Sequence, residues 1–144
     1  MWPSYARRSG IFWALTKANR LIIIGVGHLG HALLQNFDFE KVGFHVDTAF
    51  DISPDLIGTN IHDVTIRSMD ELEQYVAENR PNVAVLTVPQ HVAQPMASRL
   101  IDLGIKGFWN FTNVELSTDV PDVFFEDVHF VDTLLTLSYR ITRP

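Results

Sequence analysis

The residues with the clearest capacity for chemistry stand in one short stretch. Gly25-Val26-Gly27-His28-Leu29-Gly30 follows the apolar run Leu21-Ile22-Ile23-Ile24 and precedes His31-Ala32-Leu33-Leu34. A G-x-G-x-x-G between a buried strand and the first turns of a helix is a phosphate-cradling turn. Gly25 permits the tight turn, Gly27 lacks a Cβ so that a pyrophosphate can approach the backbone, and Gly30 lets the helix lie close to the strand. The free N–H groups and positive dipole end of the helix then face the phosphates. The plainer reading is a chance glycine cluster at a strand–helix turn. Against it, Phe44–Phe50 reads as a further strand ending in Asp51, twenty-one residues after Gly30, where an acidic side chain hydrogen-bonds an adenosine ribose. Asp51 also has a plainer role open to it, as the turn residue of Asp51-Ile52-Ser53-Pro54. No Arg or Lys stands at 52–55 to hold a 2′-phosphate, so the pattern favours NAD, or another adenosine with a free 2′-hydroxyl, over NADP.

Other polar residues are weaker candidates. His28 and His31 share a helix face at i and i+3. Without an obvious third ligand they do not make a metal site, and the expectation is that they bond phosphate or line the mouth of the pocket. Thr87-Val88-Pro89 ends another strand, where open α/β sheets place their ligands. Thr87 either donates to a phosphate or ribose, or is an ordinary β-branched strand residue. His91 is the best acid–base candidate for an oxidoreductase, but 144 residues leave no room for a substrate domain. A surface histidine at a helix start is the simpler description, so no catalytic residue is assigned.

The elements that must position these residues alternate along the chain. Leu21–Ile24 is the first strand and His28–Asn36 the first helix, with Asp38-Phe39-Glu40-Lys41 as a polar connection. Val64-Thr65-Ile66 is a short strand, and Ser68-Met69-Asp70-Glu71 fits a capping box that starts a helix running to Glu78. Asn82–Val88 is nearly continuous and apolar, as in a parallel strand covered on both faces. Gln90–Leu103 is a helix closed by Gly104. Lys106–Phe111 and Val123–Val128 are strands around a polar loop, and Phe130–Ile141 is a final helix with Val131, Leu134, Leu135 and Leu137 as apolar positions. The alternation predicts a single α/β domain, a Rossmann-like doubly wound parallel sheet over 21–144. Residues 1–20 precede it as a basic, aromatic arm or short helix, with Ile11, Phe12 and Leu15 on one apolar face.

Composition limits the function classes. Hydrophobic residues make up 47 % of the chain and charged residues 19 %, the balance of a globular protein. No apolar run approaches the ~20 residues that span a bilayer, and the N-terminus has no secretory pattern, so a cytoplasmic location without membrane contact is expected. The absence of cysteine excludes disulfides and thiol chemistry. Any redox response must therefore come through a bound cofactor. The net charge is −6, yet residues 1–20 carry Arg7, Arg8, Lys17 and Arg20 and no acid. The remaining body is thus strongly acidic and disfavours direct nucleic-acid contact. The basic arm is read as packing on that body or on a second subunit, rather than touching nucleic acid or membrane.

From Leu21 to Tyr139 the chain resembles the nucleotide-binding domain of the Rex redox-sensing transcriptional repressors. The resemblance rests on Gly25-Val26-Gly27-His28-Leu29-Gly30-His31-Ala32-Leu33, Ala49-Phe50-Asp51-Ile52-Ser53-Pro54 with Ile57-Gly58, and Leu86-Thr87-Val88-Pro89. Ala93-Gln94, Gly104-Ile105-Lys106-Gly107-Phe108-Trp109-Asn110-Phe111-Thr112 and Leu134–Tyr139 continue it. It implies a Rossmann domain that senses the NADH/NAD balance and forms a homodimer through its C-terminal helix. By position, Gly25, Gly27, His28, Leu29 and Gly30 would hold the pyrophosphate and Asp51 the adenosine ribose. Thr87, Val88 and Pro89 would lie near the middle or nicotinamide end of the cofactor. Rex proteins carry a winged-helix DNA-binding domain of roughly eighty residues ahead of this domain, which twenty residues cannot replace. His129 stands where the family has an acidic residue that couples the two halves. The expectation is therefore a non-catalytic regulatory module for NAD(H), or for ATP, ADP or AMP if the nicotinamide pocket has drifted, with a possible regulatory protein partner. The alternatives are an accessory subunit that modulates a full-length Rex-type repressor, and a small NAD-dependent oxidoreductase.

Overall fold

A run of four aliphatic residues with no polar break can be satisfied only by burial on both faces, and it forms the centre of the sheet. The computed structural model describes residues 19–142. The apolar face expected at Ile11, Phe12 and Leu15 lies outside them. The strands are β1 (Arg20–Ile24), β2 (His45–Asp51), β3 (Asn60–Ile61), β4 (Val64–Ser68), β5 (Val83–Leu86), β6 (Gly107–Asn110) and β7 (Phe124–Asp127). The helices are α1 (His28–Asn36), α2 (Leu72–Asn79), α3 (Gln90–Asp102) and α4 (Phe130–Thr142). The sheet order is β3-β4-β2-β1-β5-β6-β7. Every pairing is parallel except that of β3 with β4. The order reverses between β1 and β5, and such a switch point opens a crevice at the carboxyl ends of the strands.

Leu21, Ile22, Ile23 and Ile24 are all buried and alternate between two cores. Ile22, Ile24 and Phe50 pack under Leu72 and Val76 of α2 and Ala93, Ala97 and Leu100 of α3. Leu21, Ile23, Ala49, Ile66 and Val85 pack with Leu34 of α1 and with Phe39. Each fully buried Leu or Ile contributes about 1.5–3 kcal/mol of apolar transfer, so β1 alone is a large part of the core. The capping box at Ser68 and Glu71 is present, worth about 1 kcal/mol. Its first turn, Met69–Glu71, is a 3-10 turn that leads into α2.

The structure adds three details to these expectations. Residues 38–41 are not simply polar, because Phe39 is buried and seats its ring 4.7 Å from Phe37 and 6.1 Å from Trp109. The doubly wound sheet is parallel as expected, with one edge hairpin added: His62 and Asp63, both at positive φ, turn β3 back onto β4. Arg20, counted with the arm, opens β1 and is anchored in the domain. Its guanidinium reaches Asp47 from Nε at 3.1 Å and Nη2 at 2.5 Å, and donates from Nη1 to the Asn79 carbonyl at 2.6 Å. The Asp47 side chain is 1 % exposed, and Tyr75 donates to it at 3.2 Å. This network ties β1, β2 and α2 together, and nothing in the spacing of its members announced it.

Candidate functional site

The chain leaves β1 at Ile24, and Gly25 turns it with φ +90°, a conformation that side chains other than glycine rarely adopt. The Gly25 N–H donates to the Phe50 carbonyl at 2.8 Å, so the turn begins one step above the β1–β2 ladder. Two side chains from neighbouring strands then fix it. Asp51, at the end of β2, accepts the Val26 N–H on Oδ2 at 2.6 Å and the Ser53 N–H on Oδ1 at 2.8 Å. Thr87, just past β5, donates its hydroxyl to the Gly25 carbonyl and lies 3.2 Å from the Ile24 carbonyl, and its N–H donates to Ile24 at 3.0 Å. The loop is thus held from both sides of the switch point.

The three glycines have different surroundings. A Cβ on Gly30 would lie 2.5 Å from the Gly25 carbonyl oxygen and 3.3 Å from Thr87 Oγ1, so α1 crosses the turn at a distance only glycine allows. A Cβ on Gly25 would meet Val88 Cγ1 at 3.1 Å, which places Val88 over the turn. A Cβ on Gly27 would have nothing within 4 Å. Gly27 is exposed, so protein packing does not explain a glycine there. It is the N-cap of α1, with no side-chain cap and no acidic residue in the first turn. No acid of the helix's own first turn offsets the positive dipole there; the carboxylate that comes near, Asp51, is bound to the Val26 N–H.

Each predicted residue can now be placed. Gly25, Gly27 and Gly30 form the turn, and Thr87, Val88 and Asp51 converge on it. His28 is exposed beside Gly27, Leu29 is half-buried, and Pro89 is the N-cap of α3. The Thr87 hydroxyl is turned to the loop's own backbone, a role beyond the two read from the sequence. Asp51 serves as the Asx-turn residue toward Ser53 and as a brace for Val26. Because Val26 N–H is taken by Asp51, it is not among the amides that face outward. Each carboxylate oxygen keeps a second acceptor position, which leaves Asp51 able to receive a ribose hydroxyl as well. His31 is exposed one turn on and His91 is exposed at the start of α3. Among the described residues no group of three His, Asp or Glu is placed to hold a metal ion, and no helix is long and apolar enough to cross a membrane.

The loop beyond β6, where the sequence reads Asn110-Phe111-Thr112 only as another strand carboxyl end, is a hydrogen-bonded turn. Asn110 is buried, and its amide donates to the Val114 carbonyl at 2.8 Å and to Asp127 at 2.9 Å. Its oxygen accepts from the Thr112 N–H at 3.0 Å and hydroxyl at 2.6 Å. An Asn-x-Thr at a strand end is the signal that was available. It holds the 110–114 turn rigid at the carboxyl edge of the sheet, two strands from the glycine loop.

Comparisons with known proteins bear on the family and the fold. The CoA binding domain family matches residues 16–114. The redox-sensing transcriptional repressor Rex of Caldicellulosiruptor saccharolyticus is 41 % identical over 129 residues, covering 90 % of this chain and 58 % of the relative. The Rex protein of Clostridium tetani is 44 % identical over 130 residues, covering 90 % and 61 %. The chain therefore spans about three-fifths of the length of these relatives. Among solved structures, RSP, a Rex-family repressor, in complex with β-NADH superposes with a TM-score of 0.82 at 38 % identity, covering 96 % of this chain and 66 % of that one. RSP with β-NAD+ and operator DNA gives 0.84 at 38 % identity, covering 96 % and 63 %. The last of these narrows the expectation about nucleic acid: a similar repressor engages operator DNA, although the acidic body read here gave no sign of it.

Proposed function

Because this chain belongs to the CoA binding domain family and is similar within it to the Rex repressors, we propose that it is a non-catalytic sensor of the NADH/NAD balance. In this reading Gly25, Gly27, His28, Leu29 and Gly30 receive the pyrophosphate and Asp51 the adenosine ribose. Val88 and Pro89 border the nicotinamide half, and Thr87 acts by holding the turn. The observation that carries it is Gly27: an exposed glycine with open space where its Cβ would be, at an uncapped helix N-terminus. The relatives' named role as transcriptional repressors extends to this domain as control of operator binding, exerted in the cytoplasm as a homodimer through α4. His91 plays no part in chemistry, and turnover of NADH is not expected.

Calorimetric titration with NADH, NAD, ATP, ADP, AMP and coenzyme A tests the reading. NADH is expected to bind more tightly than NAD, and both more tightly than the mononucleotides. Gly27→Val is expected to weaken NADH binding at least tenfold, about 1.4 kcal/mol, in a protein that stays folded and loses no more than the ~1 kcal/mol of an N-cap exchange. A folded Gly27→Val protein with parental affinity would refute the site. A preference for ATP, ADP or AMP would refute the redox role while keeping the adenosine site.

A further inference from the structure

β7 carries aromatic residues on both faces of the sheet, since neighbouring strand residues point to opposite sides. Phe125 packs 5.2 Å from Phe108 in the core beneath α2 and α3. Phe124, on the other face, is 70 % exposed. There an apolar groove of about 370 Å³ runs between the end of α1 and β7, lined by Leu21, Val83, Trp109, Phe37, Phe39 and Phe124. Phe37 and Val42, at the same groove, are exposed as well. Contiguous apolar surface of this kind marks a contact site.

We propose that the groove receives this chain's own N-terminal segment, with Ile11, Phe12, Trp13 and Leu15 as the inserted side chains. The path of the chain selects this occupant. Asn19 accepts the His45 N–H at 3.0 Å on its carbonyl, and its side chain bonds Asn82 at 3.3 Å. The chain therefore enters the sheet at the amino ends of β2 and β5, and two residues later Leu21 already lines the groove. The eight residues 11–18 cover roughly 12 Å if helical and roughly 26 Å if extended, enough to fold back along it. Charge agrees, because Arg7, Arg8 and Lys17 stand in this segment without an acid and Glu126 lines the groove. The competing apolar element, α4, begins at the opposite, carboxyl end of β7, and its Leu134 and Leu137 lie exposed.

The absence of cysteine gives a clean test in the full 144-residue chain. A Leu15→Cys/Phe124→Cys pair treated with a short bismaleimide is expected to cross-link within one chain, as read by mass. A Leu15→Cys/Asp55→Cys pair, whose second site is a turn at the other end of the sheet, is expected not to. Phe124→Glu alters an exposed residue and should keep the native circular-dichroism spectrum, while trypsin cleavage after Lys17 speeds up several-fold. Cross-links only between chains would assign the groove to a second copy and overturn the proposal. Equal cross-linking of the two pairs, or unchanged cleavage at Lys17 in Phe124→Glu, would overturn it too.

Discussion

Three glycines of one motif answer to three different constraints. Gly25 is fixed by its backbone angle and Gly30 by contact, whereas Gly27 is the N-cap of α1 with open space at its Cβ position. Stability should therefore separate them from one another. Gly30→Ala forces a methyl group against the Gly25 carbonyl and should cost about 1–3 kcal/mol as overpacking, read as a lower urea midpoint with an unchanged m-value. Gly27→Val should move that midpoint by no more than the ~1 kcal/mol of an N-cap exchange and lose the nucleotide instead. If Gly30→Ala is as stable as the parent, the close crossing of α1 over the turn is wrong. Thr87 and Asp51 belong to the same scale: each braces the turn through its backbone, so substitution of either weakens binding by loosening the loop as well as by any direct contact. Glycine and acid were legible because their spacing repeats a known solution to phosphate binding. The clamp by Thr87 was not, since a hydroxyl at a strand end looks the same whether it faces ligand or backbone.

Among the elements, α2 is held by polar ties that periodicity does not reveal. Its N-terminus was readable from Ser68 and Glu71, because a capping box is local in sequence. Its ties to β2 and α3 join residues distant along the chain. Glu73 bonds Arg99 of α3 at 2.5 and 2.8 Å, and this bond holds the Glu73 carboxyl below its usual range and raises the Arg99 guanidinium. Tyr75 is half-buried over Asp47, and burial, followed by the Asp47 charge, pushes its hydroxyl up to about 12. The raised value sets a sign. Below pH 10 the phenol is neutral in both folded and unfolded chains, and its contribution is intact. Between pH 10 and 12 only the unfolded chain releases the proton, so stability falls. Urea unfolding across that range should show a loss that Tyr75→Phe reduces. An identical slope in the variant would remove Tyr75 from the Asp47 network.

At the scale of the whole molecule, the last helix leaves large apolar side chains in water. Leu134, Leu137, Tyr139 and Ile141 of α4 are 55–74 % exposed. A helix that keeps such residues in water is stabilised by a partner, which fits the proposed homodimer. Leu134→Lys/Leu137→Lys should convert a dimer to a monomer in light scattering after size exclusion, without loss of circular dichroism. Persistence of the dimer would move the interface elsewhere.

The sequence by itself determined the α/β alternation, the strand–turn–helix around Gly25–Gly30, the capping box and the family resemblance. Each of these is written in local spacing or in short motifs whose geometry is fixed by backbone rules. Tertiary structure alone decided that Asp51 and Thr87 both brace the glycine turn, and that Arg20 belongs to the domain through a buried Asp47. It also decided that Phe39 is core. These depend on which strands become neighbours: β5 lies beside β1, with more than sixty residues between the paired positions. A pairing between residues so far apart in the chain leaves no periodic trace in either one.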